Sequence, residues 1–521
     1  MLIAAALAWR LVSLQILEPD RYLAHGAAQR ISIVDLPAAR GAILDRNGVD
    51  LALSVPLQTV AANPRLIEDP IRAARALAQI VDTDVETLEE RLSNGRAFVY
   101  VDRQVSEDVA EAALDLDLTG VFSIQERSRV RPGEDSAIAI LGRTDIDDTG
   151  VSGLEYVYDD MLSGTPGELI VETGARGSTI PGGEYQIEPA ILGSDVVLSI
   201  DRSLQFAAER LLAEGVEAAG GEAGILIAMD PETGEILASA AVVREGGEVR
   251  PSTEHRAVTW SYEPGSIMKP LTFSAVLESG IGAPSSVREV PGWVHVHDSD
   301  FRDSFPHEEE QWSIGDILHR SSNVGTILWA VDLGEERLYE RLLEFGLGRT
   351  TELDFPGEAA GILPVVGKWS GTSLPTIAIG QGVAVTPLQM VTAFSTIANE
   401  GRRPAPSLVL GTRDTMGVFQ PSERAPDEQV LEPETSRQLL AMLERVVESG
   451  TGTRGQVPGY RVAGKTGTAW KPRPEGGYGE GSGNIDYVSS FVGMLPAEDP
   501  KLVVLVVVDE LSDLMMVAAR D

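Results

Sequence analysis

Three short stretches of this chain carry side chains whose types and spacing could do chemistry together. Ser266-Ile267-Met268-Lys269 sets a hydroxyl and an amine three residues apart. A serine hydroxyl is a poor nucleophile until a base takes its proton. With only six histidines in the chain, a lysine is a credible base. Lys269 would have to be neutral for that task. Lowering an amine pKa from ~10.4 to ~7–8 costs about 4 kcal/mol, which burial and a second cation nearby would supply. Ser321-Ser322-Asn323 follows 55 residues on, and Lys465-Thr466-Gly467-Thr468 a further 144. Each stretch is unremarkable by itself. S-x-x-K recurs by chance in most long proteins, where it is an exposed Ser and Lys on a helix.

The elements that must position these groups can be read around them. Glu263-Pro264-Gly265 breaks any preceding helix, and apolar Met268, Leu271, Phe273, Val276 and Leu277 predict a helix to about Ser279. Ser266 and Lys269, at i and i+3, then share one face. The hydroxyl stands at the positive end of the helix, which favours an alkoxide. Ser321–Asn323 has the composition of a turn or helix start, where Ser and Asn serve as caps. Lys465–Thr468 sits on a strand predicted over Arg461–Ala469. Alternation turns Lys465 and Gly467 to one face and Thr466 and Thr468 to the other, and Gly467 lets a ligand backbone approach.

Further out, residues 30–193 read as short strands and turns, with a hairpin at Asn47-Gly48 and one helical stretch over Asp69–Leu92. The Gly- and Pro-rich run Arg176–Asp195 marks a boundary. A strand (Asp195–Asp201), a helix (Ser203–Glu217) and a hairpin (Ala223–Val242, turning at 230–234) follow. A long helical region comes next, and a last hairpin pairs Ile485–Met494 with Lys501–Asp509. Strands at both ends with helices between predict an α+β domain, its terminal-strand antiparallel sheet packed on a helical subdomain.

Composition bounds the possibilities. The 521 residues suggest about three domains, and 43% hydrophobic with 23% charged residues is globular. With 79 acidic against 42 basic residues the net charge is −37, which repels phosphate backbones and excludes nucleic acid as a partner. The absence of cysteine excludes disulfides, thiolate metal sites and a cysteine nucleophile. Gly459–Thr466 matches the P-loop pattern letter for letter, but Gly467 and Pro472 allow no helix at Lys465-Thr466, and Tyr460–Ala463 reads as strand. Gly450–Gly455 spells G-x-G-x-x-G, yet it follows a helix (Thr435–Ser449) rather than a strand. His295 and His297, on one face of a strand and near Asp298, Asp300 and His307, could be a metal cluster; a polar surface hairpin is the simpler reading, and no metal is expected. The apolar run of residues 1–17 is short for a span of about 20 residues. A buried helix and the outer half of a membrane anchor both stay open.

Together, and in this order, S-x-x-K, S-x-N and K-T-G-T resemble the penicillin-binding proteins and serine β-lactamases. Further text resembles the class B penicillin-binding proteins. Arg40-Gly41-Ala-Ile-Leu-Asp45-Arg46-Asn47-Gly48 looks like the opening motif of their non-catalytic domain, and Gly153-Leu154-Glu155 with Leu162-Ser163-Gly164 like its second. Trp260–Ser266, Phe355-Pro356-Gly357-Glu358, Gly380-Gln381-Gly382 and Thr386-Pro387-Leu388-Gln389 resemble the cell-division (septal) branch, and Asn323 leans the same way. The resemblance runs from about residue 10 to 510. Trp470 departs from it, standing where glutamine is frequent.

The resemblance implies a partial membrane anchor (1–20), a strand-rich, dimerisation-type pedestal (27–192) and a transpeptidase domain (193–521). It implies a septal peptidoglycan D,D-transpeptidase, with an elongation-type transpeptidase or a penicillin-sensing or D,D-carboxypeptidase-type acylase as alternatives. Ser266 would be the nucleophile and Lys269 its base. Ser321 would pass a proton to the leaving amine, and Asn323 would orient Lys269 and substrate. Lys465 would be the second cation and would bind the substrate carboxylate with Thr466 and Thr468 beside Gly467; Ser266 and Thr468 N–H would form the oxyanion hole. No cofactor is implied. Implied partners are stem peptides, β-lactams, a membrane glycosyltransferase and divisome proteins, with the catalytic domain outside the plasma membrane on a single-pass anchor.

Overall fold

The computed structural model describes residues 9, 31–36, 38–172, 185–351, 353–471 and 487–511. Outside the described residues lie the apolar run 1–17 apart from Trp9, residues 176–184 of the expected Gly- and Pro-rich boundary, residues 472–486, which hold Pro472 and the expected start of the last hairpin at 485, and residues 512–521. Among the described residues no helix is long and apolar enough to cross a membrane.

The N-terminal region is built on β1 (Ile43–Leu44), β2 (Asp50–Ala62), β3 (Val99–Val105) and β4 (Val121–Val130). β1, β3 and β4 all pair antiparallel with the long β2. The Asp45–Gly48 stretch makes the expected hairpin. Asp45 Oδ1 accepts from the N–H groups of Asn47 (2.8 Å) and Val49 (2.9 Å), an Asx turn that adds to the backbone bonds at the tip. Two helices pack on the sheet where one had been expected over Asp69–Leu92: α1 (Pro70–Leu77) and α2 (Val85–Ser93). The break is local chemistry. Asp69 caps the first through Arg72 N–H with Pro70 at its first turn, and Asp84 caps the second through Thr87 N–H. Leu77, Leu88 and Leu92 then meet Val60 and Val101 in one core.

The catalytic-type region holds β5 (Asp195–Leu198), α3 (Arg202–Ala219), β6 (Ala223–Met229), β7 (Ile236–Glu245) and β8 (Glu248–Pro251). Helices α4 (Lys269–Glu278), α5 (Ile314–Arg320), α6 (Asn323–Leu333) and α7 (Pro387–Ala398) follow, then β9 (Val409–Arg413), β10 (Phe419–Pro421) and α8 (Pro433–Ser449). The described chain closes with β11 (Ala463–Trp470), β12 (Tyr487–Leu495) and β13 (Leu502–Leu511). These strands form an antiparallel sheet of order β8-β7-β6-β13-β12-β11, the terminal-strand plan read from the sequence. α3 covers one face through Ala208, Leu212 and Val216. α7 is buried all round, as its near-continuous apolar sequence requires.

A second sheet joins the two regions, in the order β10-β9-β5-β1-β2-β3 with β4 also on β2. β5 lies parallel to β1 (Ile43 beside Val196) and antiparallel to β9, so strands from both sides of residue 193 share one sheet. Close by, the two non-catalytic motifs meet. Glu155, 2% exposed, accepts from Arg40 Nε (2.9 Å) and Arg129 Nε (2.7 Å), both buried. Removing that carboxylate strands the buried Arg129 and leaves Arg40 only Asp159, at 2.6 Å, as an acidic partner. Glu155→Gln is therefore expected to cost on the order of 3 kcal/mol in urea unfolding. An unchanged midpoint would mean that the arginines are neutralised elsewhere.

Candidate active site

The three stretches converge. Ser266 does not sit on the helix itself, as expected, but on a 3-10 turn (Gly265–Met268) that feeds α4 at Lys269. In such a turn residues i and i+3 eclipse, so hydroxyl and amine still share a side. Gly265 starts the turn at φ +57°, and its N–H donates to Gly380 O at 2.9 Å. A Cβ on Gly265 would lie 2.5 Å from Thr468 O, and one on Gly380 2.1 Å from Gly265 O. Three backbone segments thus cross at the serine with no room for side chains. Ser266 is half-buried, and among the described residues nothing hydrogen-bonds its Oγ.

Ser321 ends α5 at φ +59°, unusual for a residue with a side chain. Ser322 starts α6, its Oγ accepting from Gly325 N–H at 2.9 Å. This kink between helices turns Ser321 and Asn323 to one amine. Lys269 Nζ donates to Ser321 O (2.5 Å) and Asn323 Oδ1 (2.7 Å), and lies 3.3 Å from Ser321 Oγ. Lys465 Nζ, from β11, donates to Ser321 Oγ (2.9 Å) and Thr466 O (3.1 Å). One hydroxyl is shared by two lysines, both 0% exposed. Along β11 the alternation holds: Lys465 and Gly467 are buried, Thr466 is half-buried and Thr468 exposed. A Cβ on Gly467 would lie 2.8 Å from Pro264 O, so its hydrogen lets the strand lie against the serine turn. Thr466 Oγ1 meets Thr451 Oγ1 at 3.0 Å.

Burial lowers Lys269 to about 7, against an upward pull from the Asp303 carboxylate. Lys465 is held well below the usual lysine range, by burial first and then by the charge of Lys269. The lowering of Lys269 is thus led by burial rather than by the charge of Lys465, the expected cause. Burial leads both shifts. Asp303 was missed from the sequence; it lies in Phe301-Arg302-Asp303-Ser304, whose polar run gave no sign of burial.

The other candidates separate. The strand carrying His295 ends at Val296, and His297 sits in the turn at φ +58°, so the two do not share a strand face. His295 pairs with Asp300 at 2.7 Å in the open, and His307 turns to Asp303. Among the described residues no three His, Asp or Glu side chains come together as a metal site. Lys465-Thr466 of the P-loop match lies inside β11. That strand begins at Ala463, later than expected, with Tyr460 exposed in a turn. In Gly450–Gly455, Thr453–Gly455 forms a 3-10 turn after α8.

Residues 224–516 match the family described as the penicillin binding protein transpeptidase domain, and residues 35–198 the penicillin-binding protein dimerisation domain. The chain belongs to the class B penicillin-binding proteins. Among this family it is 32% identical to penicillin-binding protein PbpB of Mycolicibacterium smegmatis, over 93% of this chain and 80% of that one. It is 30% identical to peptidoglycan D,D-transpeptidase FtsI of Escherichia coli, over 98% of this chain and 86% of that one. A solved penicillin-binding protein, PBP3 of Mycobacterium tuberculosis in complex with aztreonam, superposes with a TM-score of 0.71 at 27% identity, covering 92% of this chain and 91% of that one. A peptidoglycan synthetase of Bifidobacterium adolescentis gives 0.73 at 28%, covering 92% of both chains. As a class B penicillin-binding protein the chain has a dimerisation-type region followed by a transpeptidase region.

Proposed function

We propose that this penicillin-binding protein is a septal peptidoglycan D,D-transpeptidase working through a serine acyl-enzyme. Ser266 Oγ attacks the carbonyl between two terminal D-alanines, and Lys269 takes its proton. The C–N bond breaks, an ester forms on Ser266, and D-alanine leaves with a proton passed through Ser321 Oγ. The amine of a neighbouring stem peptide then attacks the ester, forming the cross-link and returning the serine its proton. Asn323 holds Lys269, while Lys465, Thr466 and Thr468 receive the substrate carboxylate beside Gly467. The N–H groups of Ser266 and Thr468 hold the oxyanion, a contact whose loss costs about 3 kcal/mol. β-Lactams acylate the same serine. The observation that carries this reading is the Ser321 hydroxyl 3.3 Å from one buried lysine and 2.9 Å from the other, behind the serine turn. Aztreonam in the PBP3 relative and the FtsI name of another relative support the ligand class and the septal branch. The organisation that goes with it is an anchor at 1–20 in the plasma membrane, a pedestal at 27–192 and an extracytoplasmic transpeptidase domain at 193–521. Divisome proteins and a membrane glycosyltransferase are its partners. Labelling with a fluorescent penicillin, then peptide mapping, tests it; an adduct on any residue other than Ser266 overturns it.

The second lysine has a separate expected result. Lys465→Met removes a buried donor to Ser321 Oγ and is expected to slow acylation about 10²-fold. Because burial leads the lowering of Lys269, the midpoint of the pH–rate profile should stay near 7. Lys465→Arg should be as slow, since a planar fork does not replace a point charge. The check is the acylation rate constant of one β-lactam from about pH 6 to 10. A rise of a full unit in the Met variant would make Lys465 the depressing cation after all.

A further inference from the structure

Behind the Ser321–Asn323 kink lies a pair of groups that the mechanism above does not use. Asp303 follows the strand Ser299–Arg302, and its side chain is 0% exposed. Its Oδ2 accepts from Ser322 Oγ at 2.7 Å and its Oδ1 from Val324 N–H at 3.0 Å. Oδ2 also meets His307 Nε2 at 3.0 Å. His307 Nδ1 lies 2.7 Å from the carbonyl of Glu308, and a carbonyl only accepts, so Nδ1 carries a proton. Nε2 facing a carboxylate oxygen then requires a second proton between them. Carboxyl and imidazole thus share that proton, closed off by the Trp312 ring 4.4 Å from His307. The charged groups facing Lys269 are Asp303 from this segment and Lys465 from β11; those facing Asp303 are His307 and Lys269.

We infer that Asp303 and His307 are a positioning pair for the acylation site. Asp303 ties down the turn that aims Ser321 and Asn323 at Lys269 and supplies, among the described residues, the negative charge that Lys269 faces, and His307 sets how much of that charge is felt. This rests on Lys269 being the base of Ser266 acylation. Asp303 works against burial: it holds the Lys269 amine nearer to its charged form and so sets the pH at which the base becomes free.

The two members therefore displace that pH in opposite directions, which a scaffold role would not do. The measurement is the acylation rate constant of one penicillin from about pH 5 to 10 in the full chain, in Asp303→Asn and in His307→Gln. Asp303→Asn keeps size and one acceptor but turns the other oxygen into a donor and loses the charge, so the midpoint should fall by about one pH unit. His307→Gln keeps a donor to Asp303 but removes the group that shares its proton, leaving a bare carboxylate charge, so the midpoint should rise by roughly half a unit or more. Midpoints that stay put while rates fall at every pH, or that move the same way, overturn the inference. If Asp303→Asn does not fold, the sign of the His307→Gln shift decides alone. Absence of an adduct on Ser266 in the unaltered chain would instead overturn the reading beneath it.

Discussion

Ser266→Ala is expected to abolish covalent penicillin labelling and to lower D-alanine release by roughly 10⁵–10⁶-fold, the loss seen when a serine nucleophile is deleted. Its thermal unfolding should be almost unchanged. The hydroxyl is half-exposed and without a hydrogen-bond partner among the described residues, so its removal leaves no buried group stranded and creates no large cavity. Intact-mass measurement after penicillin treatment checks the first part, and a melting curve the second. A stoichiometric adduct on the variant would mean that another residue is the nucleophile. A large loss of stability would mean that the turn beneath Ser266 depends on the hydroxyl.

Lys269→Met should give the other large effect, and it has two signs. Activity should fall by about 10²–10⁴-fold, the usual worth of a positioned base. In the unaltered chain the acylation rate should climb as pH rises through about 7, where the amine loses its proton; in the variant that climb should vanish. Stability should move the other way. The folded chain holds Lys269 at about 7, whereas the unfolded chain holds it at its ordinary 10.5. Between those values the unfolded state binds more protons, so the unaltered chain grows more stable as pH rises from 7 towards 10.5, and below 7 it bears the full cost. Methionine has no such cost. The stability advantage of Lys269→Met should therefore shrink by about 2–3 kcal/mol between pH 7 and 9. Urea unfolding of both proteins at several pH values measures it. Parallel pH dependences would show that the amine keeps its ordinary proton affinity when folded.

The parts of this site that could be read from the sequence are those whose chemistry is local. Ser266 and Lys269 are three residues apart, which puts them on a common side, and Lys465 to Thr468 share one strand, whose alternation sorts them by face. The plan of strands at both ends was legible for the same reason, since alternation marks Ala223–Val242 and the last hairpin. What was not legible depends on contacts across the chain. Asp303 looks like one more acid among 79 until the fold seals it behind Ser322. The leading cause of the Lys269 shift could not be assigned, because burial is a property of α4 packed among α6, α8 and the serine turn, not of any motif. The two helices α1 and α2 were merged because an apolar period ran on through Asp82–Asp84, whose capping role outweighs it.

The place of β13 in its sheet has a consequence for the order in which the protein can come into being. Among the described residues β13 comes after every other strand of that sheet in the chain, yet it lies between β6 and β12, pairing with both. Until residues 502–511 arrive, the β12–β11 hairpin that brings Lys465 has nothing to join it to β6 and β7, which are complete some 260 residues earlier. The serine turn and its lysine can form early, but the wall that carries the second lysine cannot. A half-made chain, or one clipped before β13, would hold Ser266 and Lys269 without the strand that faces them. Ordering the chain this way ties reactivity to completion: contacts of very long sequence separation close last and slowly, and the serine meets its full surroundings only in a finished molecule.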